Sequence, residues 1–111
     1  MGSVSMEWYQ DEARRFSRYS ESPEHWGVRL YPFFALSEEA GEVAGKVAKA
    51  MRQGADLPED ALALELGDVL WQISACANEL GLSLSDIACR NIRKLEDREA
   101  RGVIVGEGDA R

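Results

Sequence analysis

The chain is poor in the residues that mark secreted, membrane-spanning or nucleic-acid-binding proteins. Its two cysteines, Cys76 and Cys89, lack the close spacing of a thiolate metal site. They read as small apolar residues in a reducing compartment, and a cytoplasmic location is expected. No apolar run approaches the ~20 residues of a membrane span, so no membrane partner is expected. The start, "MGSVSM", has neither a basic region nor an apolar one, so no secretory signal is read there, and residues 1–5 are expected to be an appended leader or disordered. Excess positive charge is missing too. Thirteen Lys and Arg against twenty Asp and Glu give a net charge of -7 and a pI of about 4.7. Broad attraction to DNA, RNA or anionic lipid is therefore not expected, and a small anionic ligand would need local cations or a metal. The single histidine, His25, leaves no imidazole set for a metal.

What remains is apolar and acidic. At 111 residues the chain is one domain with one core, spanning residues 1–111. Four helices are expected. The first covers residues 4–20, and residues 21–31 form the longest irregular connection. The second runs from Pro32 to Gln53 and stops at Gly54. Asp56 with Glu59 resembles a capping box, Pro58 sits in the permissive first turn, and the third helix then runs to Leu80 before Gly81. Ser83 with Asp86 repeats the cap and opens a fourth helix to Arg98, followed by a glycine-containing tail over residues 102–111. Apolar spacing supports these assignments. Leu36, Ala40, Val43, Val47 and Met51 share one stripe of the second helix, with Glu38, Glu42 and Lys49 opposite. The third helix has two stripes, Leu62, Leu66, Val69, Leu70, Ile73 and Leu80 on one side and Leu64, Trp71 and Ala75 on another. A helix apolar on two sides is packed on two sides, and a second subunit is expected to supply part of the cover. The fold class is all-α, a four-helix bundle completed by dimerisation.

Two acidic runs stand out. "LSEEAGEV" carries Glu38, Glu39 and Glu42, and "ELGDVLW" carries Glu65 and Asp68. Glu39 and Glu42 are spaced i, i+3, as are Glu65 and Asp68, so each pair projects from one helix face. If the two helices pack antiparallel, four carboxylates converge, with Glu38 beside them. Like charges held close near apolar surface repel unless a cation neutralises them. On residue chemistry alone two readings stand, a solvated acidic face or a site for an oxygen-loving divalent cation. For the second, Mg²⁺ or Mn²⁺ suits the donors better than zinc or copper. A di-iron bundle would add Glu-x-x-His pairs, which are absent.

The string E-E-x-x-E followed by E-x-x-D resembles the signature of the MazG-type all-α nucleoside triphosphate pyrophosphohydrolases. "YQDEARRF", "ELGLSLSDIA" and the closing "NIRKLEDREARGVIVGEGDAR" resemble the same family, so the likeness runs from about Trp8 to the end. It implies an Mg²⁺-dependent hydrolase (Mn²⁺ as substitute) that splits a nucleoside triphosphate into monophosphate and pyrophosphate. Glu39, Glu42, Glu65 and Asp68 would be the principal metal ligands, with Glu38 assisting a further metal or the attacking water. Glu38 or Glu39 would take or orient that water's proton.

An acidic cradle cannot hold a tetra-anion unaided. Candidate phosphate-binding residues are Lys49, Asn91, Lys94, Arg98, Arg101 and Arg111. Asn91, Lys94 and Arg98 form one polar stripe whose plain reading is a solvated face; the family's N-x-x-K-x-x-x-R stretch favours phosphate binding. Candidates for the base are His25, Trp26, Trp71 and Asn78, with Trp71 open to a core role and Asn78 to satisfying a buried backbone group. The leading expectation is a homodimeric or tetrameric pool-sanitising pyrophosphohydrolase. The alternatives are a dUTP- or dCTP-specialised enzyme and a catalytically silent helical module that dimerises or binds nucleotide.

Overall fold

A computed structural model describes residues 2–19 and 26–103. Four helices of nine residues or more and one single-turn helix make up the described fold, and no strand occurs among the described residues. They are α1 (Met6–Arg14), α2 (Trp26–Arg29), α3 (Tyr31–Gln53), α4 (Glu59–Leu80) and α5 (Leu84–Ala100). None is long and apolar enough to cross a membrane.

The expected bundle is present, with local corrections. Ser5 caps α1, its hydroxyl accepting from the Trp8 amide at 3.1 Å. The helix ends at Arg14, short of the expected residue 20. Phe16 and Ser17 amides turn back onto the Ala13 and Arg14 carbonyls, and the Trp71 indole donates to the Ala13 carbonyl at 3.2 Å. A partner from α4 thus takes an acceptor that one more helical turn would use. The connection expected to be irregular contains α2.

Gly54 and Gly81 end α3 and α4 in the left-handed conformation, with φ 62 and 69. In each case the residue beyond the glycine donates back to a helix carbonyl: Ala55 to Ala50 and Leu82 to Ala77, both at 2.9 Å. The first of these caps turns the chain so that α4 runs back along α3 as an antiparallel hairpin, the most extensive packing among the described helices. The capping box expected at Asp56 and Glu59 does not form. Pro58 holds the cap position without a side-chain bond, and the Glu59 amide donates to the Leu57 carbonyl. The one expected at Ser83 and Asp86 forms in both directions and opens α5, which runs to Ala100.

Packing departs further from expectation. On α3 the buried residues are Pro32, Ala35 and Ala50; of the expected core stripe Leu36, Val43 and Val47 are half-buried and Ala40 and Met51 are exposed. On α4 they are Gln72, Ser74, Ala75, Cys76 and Ala77. The fully buried positions of both helices are mostly small, Leu62, Val69 and Ile73 of α4 are half-buried, and several large apolar side chains are left bare. Met51, Leu64 and Phe34 are 77%, 76% and 72% exposed.

Polar pins hold the remaining elements on α4. Gln10 of α1, buried, donates to Asn78 Oδ1 at 2.8 Å and the Leu82 carbonyl at 3.0 Å, and accepts from the Leu84 amide at 2.9 Å. Glu79 accepts from the Tyr19 hydroxyl at 2.7 Å and from Arg29 Nε at 3.1 Å. Burial and then this carboxylate push the Tyr19 phenol well above its ordinary range, so it stays a neutral donor.

Candidate active site

The antiparallel hairpin brings the two acidic runs together. Carboxylate oxygens of Glu39, Glu42 and Glu65 lie within 4.8 Å of one another. Glu39 and Glu65 are half-buried and Glu42 is exposed. Partial burial, then the charges of Asp68, Glu42, Glu65 and Glu38, hold the Glu39 carboxyl above the ordinary carboxylate range. Asp68 and Glu38 thus bear on the cluster electrostatically from positions just outside it. Glu65 is divided between two environments. Its Oε1 lies 3.7 Å from Lys46 Nζ, while its Oε2 is buried with no hydrogen-bond partner.

These residues fit a divalent cation. A buried carboxylate oxygen without a donor is costly, and a metal supplies what it lacks. Carboxylate oxygens within 4.8 Å of one another are close enough for the three residues to hold one such ion between them. The donor set is all oxygen, as Mg²⁺ or Mn²⁺ prefers.

Two cavities flank the cluster. One, of about 560 Å³, is lined by Trp8, Tyr9, Phe16, Gly67, Asp68 and Trp71 among others. Burial and then the Asp68 charge push the Tyr9 phenol upward. The second, of about 250 Å³, lies at the α3–α4 turn and is lined by Lys46, Lys49, Gln53, Asp56 and Ala61 among others.

The other expected site residues fall as follows. Trp71 lines the aromatic cavity and Lys49 the lysine pocket. Asn91 and Lys94 line a different cavity, of about 640 Å³, between α1, α4 and α5, together with Leu70, Ile73 and Ile87. Arg98 is buried, at 4% exposure, and so does not extend the exposed stripe of Asn91 and Lys94. Arg101 is exposed and paired with Asp97 at 2.8 Å. Asn78 is away from the cluster, its Oδ1 accepting from both Gln10 and Arg14. His25, the Trp26 side chain and Arg111 lie outside the described residues. The sequence reading passed over Lys46, although Glu39, Glu42 and Lys46 share the i, i+3, i+7 spacing of one helix face. It also passed over Tyr9, for which the sequence holds no comparable signal.

The profile of the MazG nucleotide pyrophosphohydrolase domain matches residues 33–103, which include both acidic runs. A gene 37 protein of Mycobacterium phage L5 is 46% identical over 85 residues, covering 73% of this chain and 75% of that protein. No solved structure matches the chain. The acidic cluster on its helical hairpin and the extent of the profile match agree: the chain belongs to the MazG nucleotide pyrophosphohydrolase family.

Proposed function

We propose that the protein hydrolyses nucleoside or deoxynucleoside triphosphates between the α and β phosphates, using a divalent metal and serving nucleotide-pool sanitation. The observation that carries this reading is the meeting of Glu39, Glu42 and Glu65 across the hairpin, with Glu65 Oε2 buried and lacking a donor.

Glu39, Glu42 and Glu65 would hold Mg²⁺ or Mn²⁺, with Asp68 beside them. When bound, the ion neutralises phosphate oxygens and acidifies a coordinated water. Glu38, exposed and next to the cluster, would assist a further metal or, as Glu39 would, take or orient the water's proton. The water oxygen bonds to the α-phosphorus as the bond from that phosphorus to the bridging oxygen breaks. The electron pair leaves on pyrophosphate, and the nucleoside monophosphate remains. The aromatic cavity beside Asp68 suits a base, because Trp8, Tyr9, Phe16 and Trp71 offer ring faces for stacking. A dUTP- or dCTP-preferring enzyme would use the same cavity.

The working protein is a homodimer or a dimer of dimers. Support comes from large apolar side chains left bare on the helices that carry the site, Phe34 and Met51 on α3 and Leu64, Leu66 and Leu70 on α4.

Incubation with a panel of nucleoside triphosphates and Mg²⁺, followed by ion-exchange chromatography, tests the reaction. Monophosphate and pyrophosphate are expected in equal amounts. Diphosphate and orthophosphate, or no turnover with any base in either metal, would overturn the reading; the latter would favour a silent binding module.

A further inference from the structure

We propose that Lys46, with Lys49 one turn beyond it, seats the β and γ phosphates. The substrate then lies across the hairpin with its base at the Trp71 end of the site and its terminal phosphates at the α3–α4 turn. This rests on the hydrolase reading above and adds a substrate direction and a binding residue to it.

Along α3, Glu39, Glu42, Lys46 and Lys49 follow at spacings of three, four and three, one continuous face on which two acids give way to two bases. At the helical rise, Lys46 and Lys49 stand about 6 and 10 Å along the axis from Glu42, distances over which a phosphate chain leaving the carboxylates would run. The opposing face of α4 carries Trp71, Asp68, Glu65 and Ala61 in the reverse direction. Asp68 and Trp71 line the aromatic cavity; Ala61 lines the pocket that holds Lys46 and Lys49. The carboxylates therefore lie between an apolar aromatic cavity and a cationic pocket. A nucleoside triphosphate has the same polarity, a flat apolar base at one end and an anionic tail at the other. Asp56 is the one acid lining the lysine pocket, opposed there by two ammonium groups.

Lys46 is placed to serve both states of the site. Its Nζ stands 3.7 Å from Glu65 Oε1, close enough for an ion pair and too far for a hydrogen bond, so its three N–H donors are not committed to that carboxylate. The side chain is 40% exposed, leaving the ammonium free to swing toward the pocket. With a metal on Glu65, the ammonium would turn to phosphate oxygens, and after cleavage it would hold the departing pyrophosphate.

The test is product binding at saturating Mg²⁺, by calorimetry and by product inhibition, in the parent, Lys46→Met and Lys46→Arg. Lys46→Met is expected to weaken pyrophosphate binding by on the order of tenfold or more, the effect of losing a charge-assisted hydrogen bond. Monophosphate binding should stay within about twofold, and Lys46→Arg should restore most of the loss. Equal weakening of both products, or pyrophosphate binding unchanged while only the metal affinity moves, would overturn the proposal and leave Lys46 as a counter-ion to Glu65. Either result in a parent that turns over leaves the hydrolase reading standing. A parent that binds no pyrophosphate and hydrolyses nothing overturns both.

Discussion

Replacing Glu65 by Gln should raise the melting temperature in chelator and lower it, relative to the parent, in magnesium. In chelator, the parent holds three carboxylates with oxygens inside 4.8 Å, and Glu65 takes part in two of the three pairs. Two unit charges at 4.8 Å repel by roughly 0.9 kcal/mol in a water-like dielectric, so the change relieves about 2 kcal/mol. Against this stands the loss of the Lys46 pair, which is partly exposed and 3.7 Å long and so worth about 0–1 kcal/mol. The new amide also brings N–H donors into a site where Glu65 Oε2 had no donor and two carboxylates can accept. A net gain of about 1 kcal/mol corresponds to roughly 4–8 °C for a domain of this size. In magnesium the order reverses. The parent gains ~2.7 kcal/mol when the metal is a hundredfold above its dissociation constant, while the variant has lost a ligand and gains little. Differential scanning fluorimetry at one protein concentration, in chelator and across a magnesium series, reads both halves. A variant that melts below the parent in chelator refutes the repulsion estimate. One that keeps the parent's magnesium-dependent rise refutes the ligand assignment.

Gln10→Ala should cost roughly 2–3 kcal/mol, seen as a lower urea midpoint at unchanged slope, because it strips the buried Leu84 amide and the Leu82 carbonyl of their side-chain partner. An unchanged midpoint would mean that α1 is not pinned there. The Glu7 carboxyl accepts from the Ser85 hydroxyl, and that bond, then a backbone one, lowers it below the ordinary 4.5. A depressed carboxyl contributes stability above its unfolded pKa and loses it as pH falls through the folded value. Ser85→Ala should therefore be less stable than the parent at neutral pH, and the difference should fade once the pH falls well below 4.5. A difference that persists in acid would assign the effect to packing.

What was legible in the sequence was local. Gly54, Gly81 and the Ser83–Asp86 pair mark helix ends through bonds to residues a few positions away, and each does in the structure what its chemistry requires. At the end of α1 the Ala13 carbonyl accepts from the Trp71 indole, 58 positions away in sequence, and no pattern within α1 announces that contact. Asn78 was open between base recognition and backbone satisfaction, and only the packing of α1 shows that Gln10 and Arg14 occupy its oxygen. Of the site, the carboxylates were legible because two i, i+3 pairs lie on adjacent helices; when the hairpin closes, Glu39 and Glu42 meet Glu65, and Asp68 stays just outside the cluster. Lys46 obeys the same spacing but lies beyond the acidic run. The apolar stripe of α3 was visible too, yet periodicity reports that a face is apolar and not what covers it. In one chain that stripe is covered only in part: Leu36, Val43 and Val47 are half-buried, while Ala40 and Met51 are exposed.

The helices that carry the carboxylates leave large apolar side chains bare, Phe34 and Met51 on α3 and Leu64, Leu66 and Leu70 on α4. Gly41, Gly45 and Gly67 point the same way: each lies mid-helix beside a site residue (Glu42, Lys46 and Asp68), and an added Cβ at any of them would meet nothing within 4 Å. Each costs about 1 kcal/mol of helix propensity relative to alanine, so together they are an expense with no return inside a single chain. Bare leucines and bare glycines on the helices that carry the carboxylates gain a purpose when something outside the chain covers them. The proposed second subunit would bury the leucines, and either that subunit or the nucleotide would come close to the glycines.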